Sequence, residues 1–127
     1  MEEVISELER DNSLDYTKIL KGIIELPFEV GRNLLCDFLI GDYKNKSIIN
    51  NNLDELYNFG SLKWEKNKIL QEIDSLIKNG MIEVSPSNYN QYVKVLKLTM
   101  RGKNEIINPT LPGKQIKNRT EFKKTII

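Results

Sequence analysis

The apolar residues of this chain recur with a helical period up to residue 78, and after residue 80 the sequence is rich in β-branched residues typical of strands. This change of pattern constrains the fold most. Segments 16–26, 31–41 and 53–60 each carry apolar residues three and four positions apart, which is the spacing of one face of an amphipathic helix. Pro27 cannot continue the first segment, and the glycines that end the other two favour helix termination. The pattern predicts three successive short helices.

The longest helical pattern covers residues 64–78 and ends before a glycine. Two β-branched runs follow, over 81–85 and 92–99, and the turn-forming residues between them predict a β-hairpin. Thr99 is suited to cap a last short helix that reaches Ile107. The chain is therefore expected to place a single hairpin between a set of helices and one closing helix.

This order of elements is that of a winged helix, an α+β fold. The helix over 64–78 takes the position of the recognition helix, and the hairpin is the wing. The expected organisation is an acidic linker or frayed helix over 1–14, the winged-helix domain over 15–107 and a basic, disordered tail over 108–127.

Charge is distributed unevenly, although the net charge is only +1. Residues 1–15 hold six acids and one base, whereas the rest of the chain holds 18 bases and 12 acids. From Lys94 onward nine bases face two acids. A basic body of this kind is typical of a phosphate binder; the alternative is a solvated basic face without a ligand.

Several classes of chemistry are excluded by composition. With one cysteine and no histidine, the chain has no intramolecular disulfide, no Cys/His zinc site and no Cys-His or Ser-His catalytic pair. It lacks the glycine-rich phosphate loop of an ATP-driven motor. The acids of the 64–78 helix are expected to form a solvated face, not an acid/base or metal site. No apolar run approaches the ~18 residues of a membrane span, so we expect a cytoplasmic protein without cofactor or metal.

Short motifs in a fixed order resemble the RQC domain, the winged helix that lies C-terminal to the motor of RecQ-family DNA helicases. The motifs are Asp15-Tyr16-Thr17, Phe28 with Gly31, Leu39 to Ile48, Leu56 to Gly60 and the closing Leu96-Lys-Leu-Thr-Met-Arg-Gly102. The closing motif is shared by many winged helices and supports the fold more than the family. Two departures are a two-residue insertion between Phe28 and Gly31 and a shift of one residue at Ser47.

The resemblance implies an accessory DNA-binding domain of an ATP-dependent 3'-5' helicase, with roles in DNA repair, replication and recombination. Its implied partners are double-stranded or forked DNA and the motor domains of the parent chain. The four-cysteine zinc subdomain that usually precedes such a domain is absent. The chain is therefore expected to be either an excised C-terminal module or an RQC variant without zinc.

Phosphate contacts are expected at helix N-termini, where unpaired N–H groups and the helix dipole favour anions. The exposed face of the 64–78 helix mixes lysine with Glu65, Glu72 and Asp74, and acids in a DNA groove would meet phosphates. The predicted phosphate-binding residues lie before the third helix and at the start of the fourth: Lys44, Lys46, Ser47, Ser61, Lys63 and Lys66.

The resemblance further implies that the wing separates strands by packing an aromatic ring on the terminal base pair. The candidate ring is Tyr89, with Asn88 and Lys94 beside it. Stacking on a base contributes about 1–3 kcal/mol, which is comparable with one base step; the alternative is a solvated loop tyrosine. For Trp64, we expect a core anchor, not a DNA contact.

A second function from a different class stays open. A free-standing winged helix could regulate transcription or dock proteins, and as a regulator it would dimerise and read a palindromic site. No segment has the length of the usual dimerisation helix. We therefore expect a monomer.

Overall fold

The computed structural model describes residues 15–111 and confirms the α+β winged helix. It comprises, in chain order, α1 (Asp15–Glu25), α2 (Arg32–Ile40), α3 (Lys46–Asn50), a 3₁₀ turn (Leu53–Glu55), α4 (Lys66–Lys78), β1 (Ile82–Pro86), β2 (Lys94–Leu98) and α5 (Met100–Ile107). The two strands pair antiparallel, with Ile82 opposite Leu98 and Pro86 opposite Lys94.

A single apolar core joins the helices to the hairpin. Its largest fully buried side chains are Tyr16, Ile19, Leu20, Leu35, Phe38, Leu39, Ile48, Leu53, Leu62, Ile69, Ile73 and Leu76. Complete burial of one such side chain contributes about 1.5–3 kcal/mol. Helices α1, α2 and α4 contribute nine of these twelve side chains, and the hairpin packs against them through Ile82 and Leu96.

The third helix differs from its prediction. It spans Lys46–Asn50, and the expected helix over 53–60 is only the 3₁₀ turn followed by loop. The Asn45 side chain caps the observed helix by accepting a hydrogen bond from the Ser47 N–H at 2.9 Å. Leu53 is buried, but Tyr57 is 90 % exposed, so these residues do not share one helical face.

Two glycines close the segment between α2 and α4. Gly41 and Gly60 both have positive φ, and a Cβ on Gly41 would lie 2.9 Å from the Gly60 Cα. The Gly60 N–H donates to the Phe38 carbonyl at 2.9 Å, and the Leu62 N–H donates to the Leu39 carbonyl at 3.0 Å. The chain thus returns to the end of α2 before α4 begins, which places the starts of α3 and α4 on one side of the domain.

The closing motif is explained by three contacts of Thr99 and Gly102. Its hydroxyl accepts from the Gly102 N–H at 3.1 Å, as a cap of α5, and donates to the Gly80 carbonyl at 2.6 Å. A Cβ on Gly102 would collide with the carbonyl oxygen of Met81. The predicted cap and the predicted end of α5 at Ile107 are confirmed.

A buried carboxylate connects α5 to the first turn of α1. Glu105 accepts a hydrogen bond from the Tyr16 hydroxyl at 2.5 Å and further bonds from Thr110 and Leu111. Burial raises the pKa of Glu105, but the bonds from Thr110, Tyr16 and Leu111 outweigh burial and hold the pKa below its usual value. Burial, together with Glu105, raises the pKa of Tyr16.

No helix within 15–111 is long and apolar enough to cross a membrane. The expected linker over 1–14 and most of the expected tail, 112–127, lie outside the described residues.

Candidate nucleic-acid interface

The first predicted cluster lies in the turn before α3 and in its first helical turn. Lys44, Lys46 and Ser47 are all exposed. Lys46 and Ser47 belong to α3 and do not precede it, and the Ser47 N–H is already bonded to Asn45. The start of α3 is therefore capped, contrary to the expectation of open N–H groups. This cluster instead offers two exposed ammonium groups and the Ser47 hydroxyl.

The second predicted cluster surrounds the start of α4. Glu65 occupies the N-cap position, but its side chain makes no capping hydrogen bond. The Lys68 N–H donates to the Glu65 carbonyl at 3.0 Å, so the uncapped N–H groups of α4 are those of its first two residues, Lys66 and Asn67. The side chains of Lys63 and Lys66 are exposed at this helix start. A groove of about 420 Å³ runs along this helix start, lined by Lys63, Trp64, Glu65, Asn67, Lys68 and Gln71. This is the one predicted helix start that retains the properties of an anion site.

Two residues at this start behave differently from the lysines. The Ser61 hydroxyl oxygen is buried and makes no hydrogen bond within 15–111, while the Ser61 carbonyl accepts from Lys18 at 3.4 Å. The Ser61 hydroxyl therefore does not lie on the exposed surface that carries the lysines. Trp64 packs partly buried against the core, which confirms its expected anchoring role.

A single carboxylate brings the two clusters together. Asp37, on α2, accepts from the Lys66 ammonium at 3.0 Å and from the Asn45 side-chain amide at 2.8 Å. The start of α4 is thereby tied to the cap of α3. Lys66 is held in an ion pair, whereas Lys44, Lys46 and Lys63 make no ion pair within the described residues.

The exposed face of α4 is less acidic than expected. Glu72 is half-buried, and its charge contributes to raising the pKa of Tyr16. Asp74 is bound by the Arg32 guanidinium at 2.8 Å. Asp74 nevertheless remains exposed along α4, as do Lys68 and Gln71. Glu65, at the N-cap, is exposed as well, and the expectation that the acids of this helix disfavour insertion into a groove stays a prediction.

The wing tip presents two tyrosines instead of one. Tyr89 is 99 % exposed and Tyr92 is 85 % exposed. Their N–H groups are held inside the turn, since that of Tyr89 donates to Ser87 at 3.2 Å and that of Tyr92 donates to Asn90 at 3.0 Å. Sequence reasoning assigned Tyr92 to the strand and missed it. The sequence signal that could have identified Tyr92 is an aromatic residue directly after a polar turn.

The predicted wing residues beside Tyr89 are also accessible. Asn88 and Lys94 are exposed, and Lys94 lies at the first position of β2. The tip therefore combines two aromatic rings with amide and ammonium groups that contact solvent.

The charge of residues 15–111 is nearly balanced, because most of the basic excess counted over residues 16–127 lies in 112–127. Residues 15–111 hold 13 bases and 12 acids, and five bases with one acid lie in 112–127. Any field over the described surface is therefore local. At the starts of α3 and α4, Lys44, Lys46 and Lys63 are cations that make no ion pair within residues 15–111.

The chain was compared with families of known proteins. A family model described as the RQC domain matches residues 7–117, which is most of the chain. A search of curated proteins finds no match.

Proposed function

Because the chain belongs to the RQC domain family, whose members are winged-helix accessory domains without catalytic activity, we propose that it is the duplex-binding module of a RecQ-like DNA helicase. The observation that carries the proposal is the family match over residues 7–117. The contacts of Asp37 support it, because they tie the start of α4 to the cap of α3, and these two segments carry Lys44, Lys46 and Lys63.

Phosphates would be held by these lysines and by the start of α4. Lys44 and Lys46 supply exposed cations, and Lys63 stands beside the uncapped N–H groups of α4. Contacts of this kind set the position of a protein on DNA and carry no sequence information. The proposed grip is therefore specific for the shape of the duplex and not for its sequence.

The wing would act at the end of the duplex, where the base pairs open. Tyr89 and Tyr92 are free to stack on a terminal base pair, and such stacking contributes about 1–3 kcal/mol per base. Opening one step of DNA costs about 1.4 kcal/mol. One or two rings are thus sufficient to replace the stacking lost at a single step, while Asn88 and Lys94 contact the parted strands.

Binding of the full chain to three fluorescent DNAs tests this function. The DNAs are a forked duplex, a blunt duplex and a single strand of matched composition, each prepared in two scrambled sequences. We expect forked and blunt duplexes to bind more tightly than the single strand, equally in both sequences, with affinity falling steeply as salt rises. A footprint on an internal palindrome would contradict the proposal and favour a transcription regulator.

A further inference from the structure

A cleft of about 880 Å³ separates the wing from the end of α1 and the loop after it. One wall carries Ile24 and Phe28, which are 56 % and 41 % exposed. The opposite wall is formed by Asn88 and Tyr89 of the wing. A volume of this size is in the range of ligand sites, about 300–1,000 Å³, and none of the predicted phosphate-binding residues lines it.

The lining combines three kinds of group. Phe28 and Tyr89 offer aromatic faces. The Asn51 side-chain nitrogen already donates to the Ser47 carbonyl at 2.8 Å, so Asn51 offers its side-chain oxygen as an acceptor for a base edge. Lys97 and Lys103 stand at the cleft; Lys97 also pairs with Glu29 at 3.8 Å, and Lys103 makes no ion pair within 15–111. Aromatic faces beside cations are the features by which proteins hold unpaired nucleotides. A purely apolar helix in the cleft would leave Lys103 without a partner.

The position of the cleft agrees with this chemistry. Asn51 directly follows α3, whose first turn carries Lys46, so one short helix connects the proposed phosphate grip to the cleft. Its five residues span about 7.5 Å, roughly one nucleotide step. Tyr89 belongs both to the wing tip and to the cleft wall. A strand that leaves the last base pair at Tyr89 therefore meets the cleft at once.

We propose that this cleft binds the first unpaired nucleotides of one DNA strand beyond the end of the duplex. The inference rests on the proposed duplex-end binding and adds a second site to it. The occupant is defined chemically as unstacked bases with their phosphates, with bases against Phe28 and phosphates toward Lys103.

The test compares one duplex with a blunt end against the same duplex extended by four unpaired nucleotides, on either strand in turn. We expect the extension on one strand to raise the affinity of the full chain by about fivefold or more, because one stacked base contributes at least about that factor. A 2-aminopurine at the first unpaired position should be quenched on binding. Phe28→Ala and Lys103→Gln should each reduce the gain and leave blunt-duplex affinity within about twofold.

Ile49→Ala is the matched control, because Ile49 is 41 % exposed, as Phe28 is, and lies outside the cleft. This variant should keep the full gain in affinity that the unpaired extension provides. Lys103→Gln replaces an exposed side chain, so it tests the cleft even where Phe28→Ala lowers stability. Equal affinity for blunt and extended duplexes, or a gain that survives both cleft variants, overturns the inference while duplex binding stands. Absence of binding to any duplex overturns the proposed function as well.

Discussion

Reversing the two charges at the α3 start should weaken DNA binding without unfolding the domain. Lys44→Glu with Lys46→Glu changes two exposed side chains that make no ion pair within residues 15–111. Surface substitutions of this kind change the free energy of unfolding by less than about 0.5 kcal/mol. The core beneath is held by Ile48 and Asn45, which the double variant keeps.

The size of the binding defect follows from counterion release. Each lost phosphate contact lowers the slope of log affinity against log salt by about 0.9, so two contacts lower it by about 1.8. At about 0.1 M salt this alone corresponds to an affinity loss of roughly 60-fold. Repulsion between the new carboxylates and phosphates adds to that loss. Fluorescence anisotropy of a blunt duplex over a series of salt concentrations measures both quantities.

Lys78→Glu with Arg101→Glu gives a control of equal charge change. Lys78 lies in the last turn of α4, about 18 Å from its first residue, and the Arg101 side chain lies beside Gly80. This control should keep most of the salt slope. Equal slopes for the native chain and the Lys44/Lys46 variant, or equal losses in both double variants, would refute the assigned phosphate site.

Three further predictions concern the fold and the wing. Gly102→Ala should lower the melting temperature, because the added Cβ collides with the Met81 carbonyl. The expected cost is about 1–3 kcal/mol of overpacking, and each kcal/mol lowers the melting temperature by about 4–8 °C. An unchanged melting curve would contradict this packing. The pKa of Glu105 is held below its usual value, so its contribution to stability is present above the unfolded pKa of about 4.3 and is lost as pH falls through the folded pKa. Glu105→Gln should therefore melt at a lower temperature at pH 7 and lose less on acidification, and parallel pH profiles would exclude this role. Tyr89→Ala, placed in a RecQ-like parent helicase, should impair unwinding of a forked duplex at saturating enzyme while leaving DNA-stimulated ATP hydrolysis intact; normal unwinding would make Tyr89 a solvated loop residue.

Local signals accounted for much of the fold. The ends of α2 and α4 could be predicted because Gly41 and Gly80 adopt positive φ at helix ends, and α5 could be predicted because Thr99 caps it. The family resemblance rested on similar short segments. In each case the sequence signal and the structural role involve residues close together in the chain.

The third helix and the shape of the site could not be predicted in the same way. Leu53 is apolar because it anchors the short 3₁₀ turn in the core, and not because it lies on one face of an α-helix. The Asn45 cap was a readable signal for α3 that the apolar pattern obscured. The contacts of Asp37 reach residues 8 and 29 positions away. Such contacts, like the burial of the Ser61 hydroxyl, arise only from tertiary packing.

Closing the ends of a duplex tests the central claim most directly. The same base-paired sequence can be prepared with open blunt ends or with both ends sealed by single-stranded loops, and the affinity of the full chain for each is measured at one salt concentration. The proposed phosphate contacts and the wing act together only at an open end. We therefore predict that the open duplex binds more tightly by at least one stacking interaction, which is about fivefold in affinity. Equal affinity for the open and the sealed duplex would contradict the assignment of this domain to duplex ends.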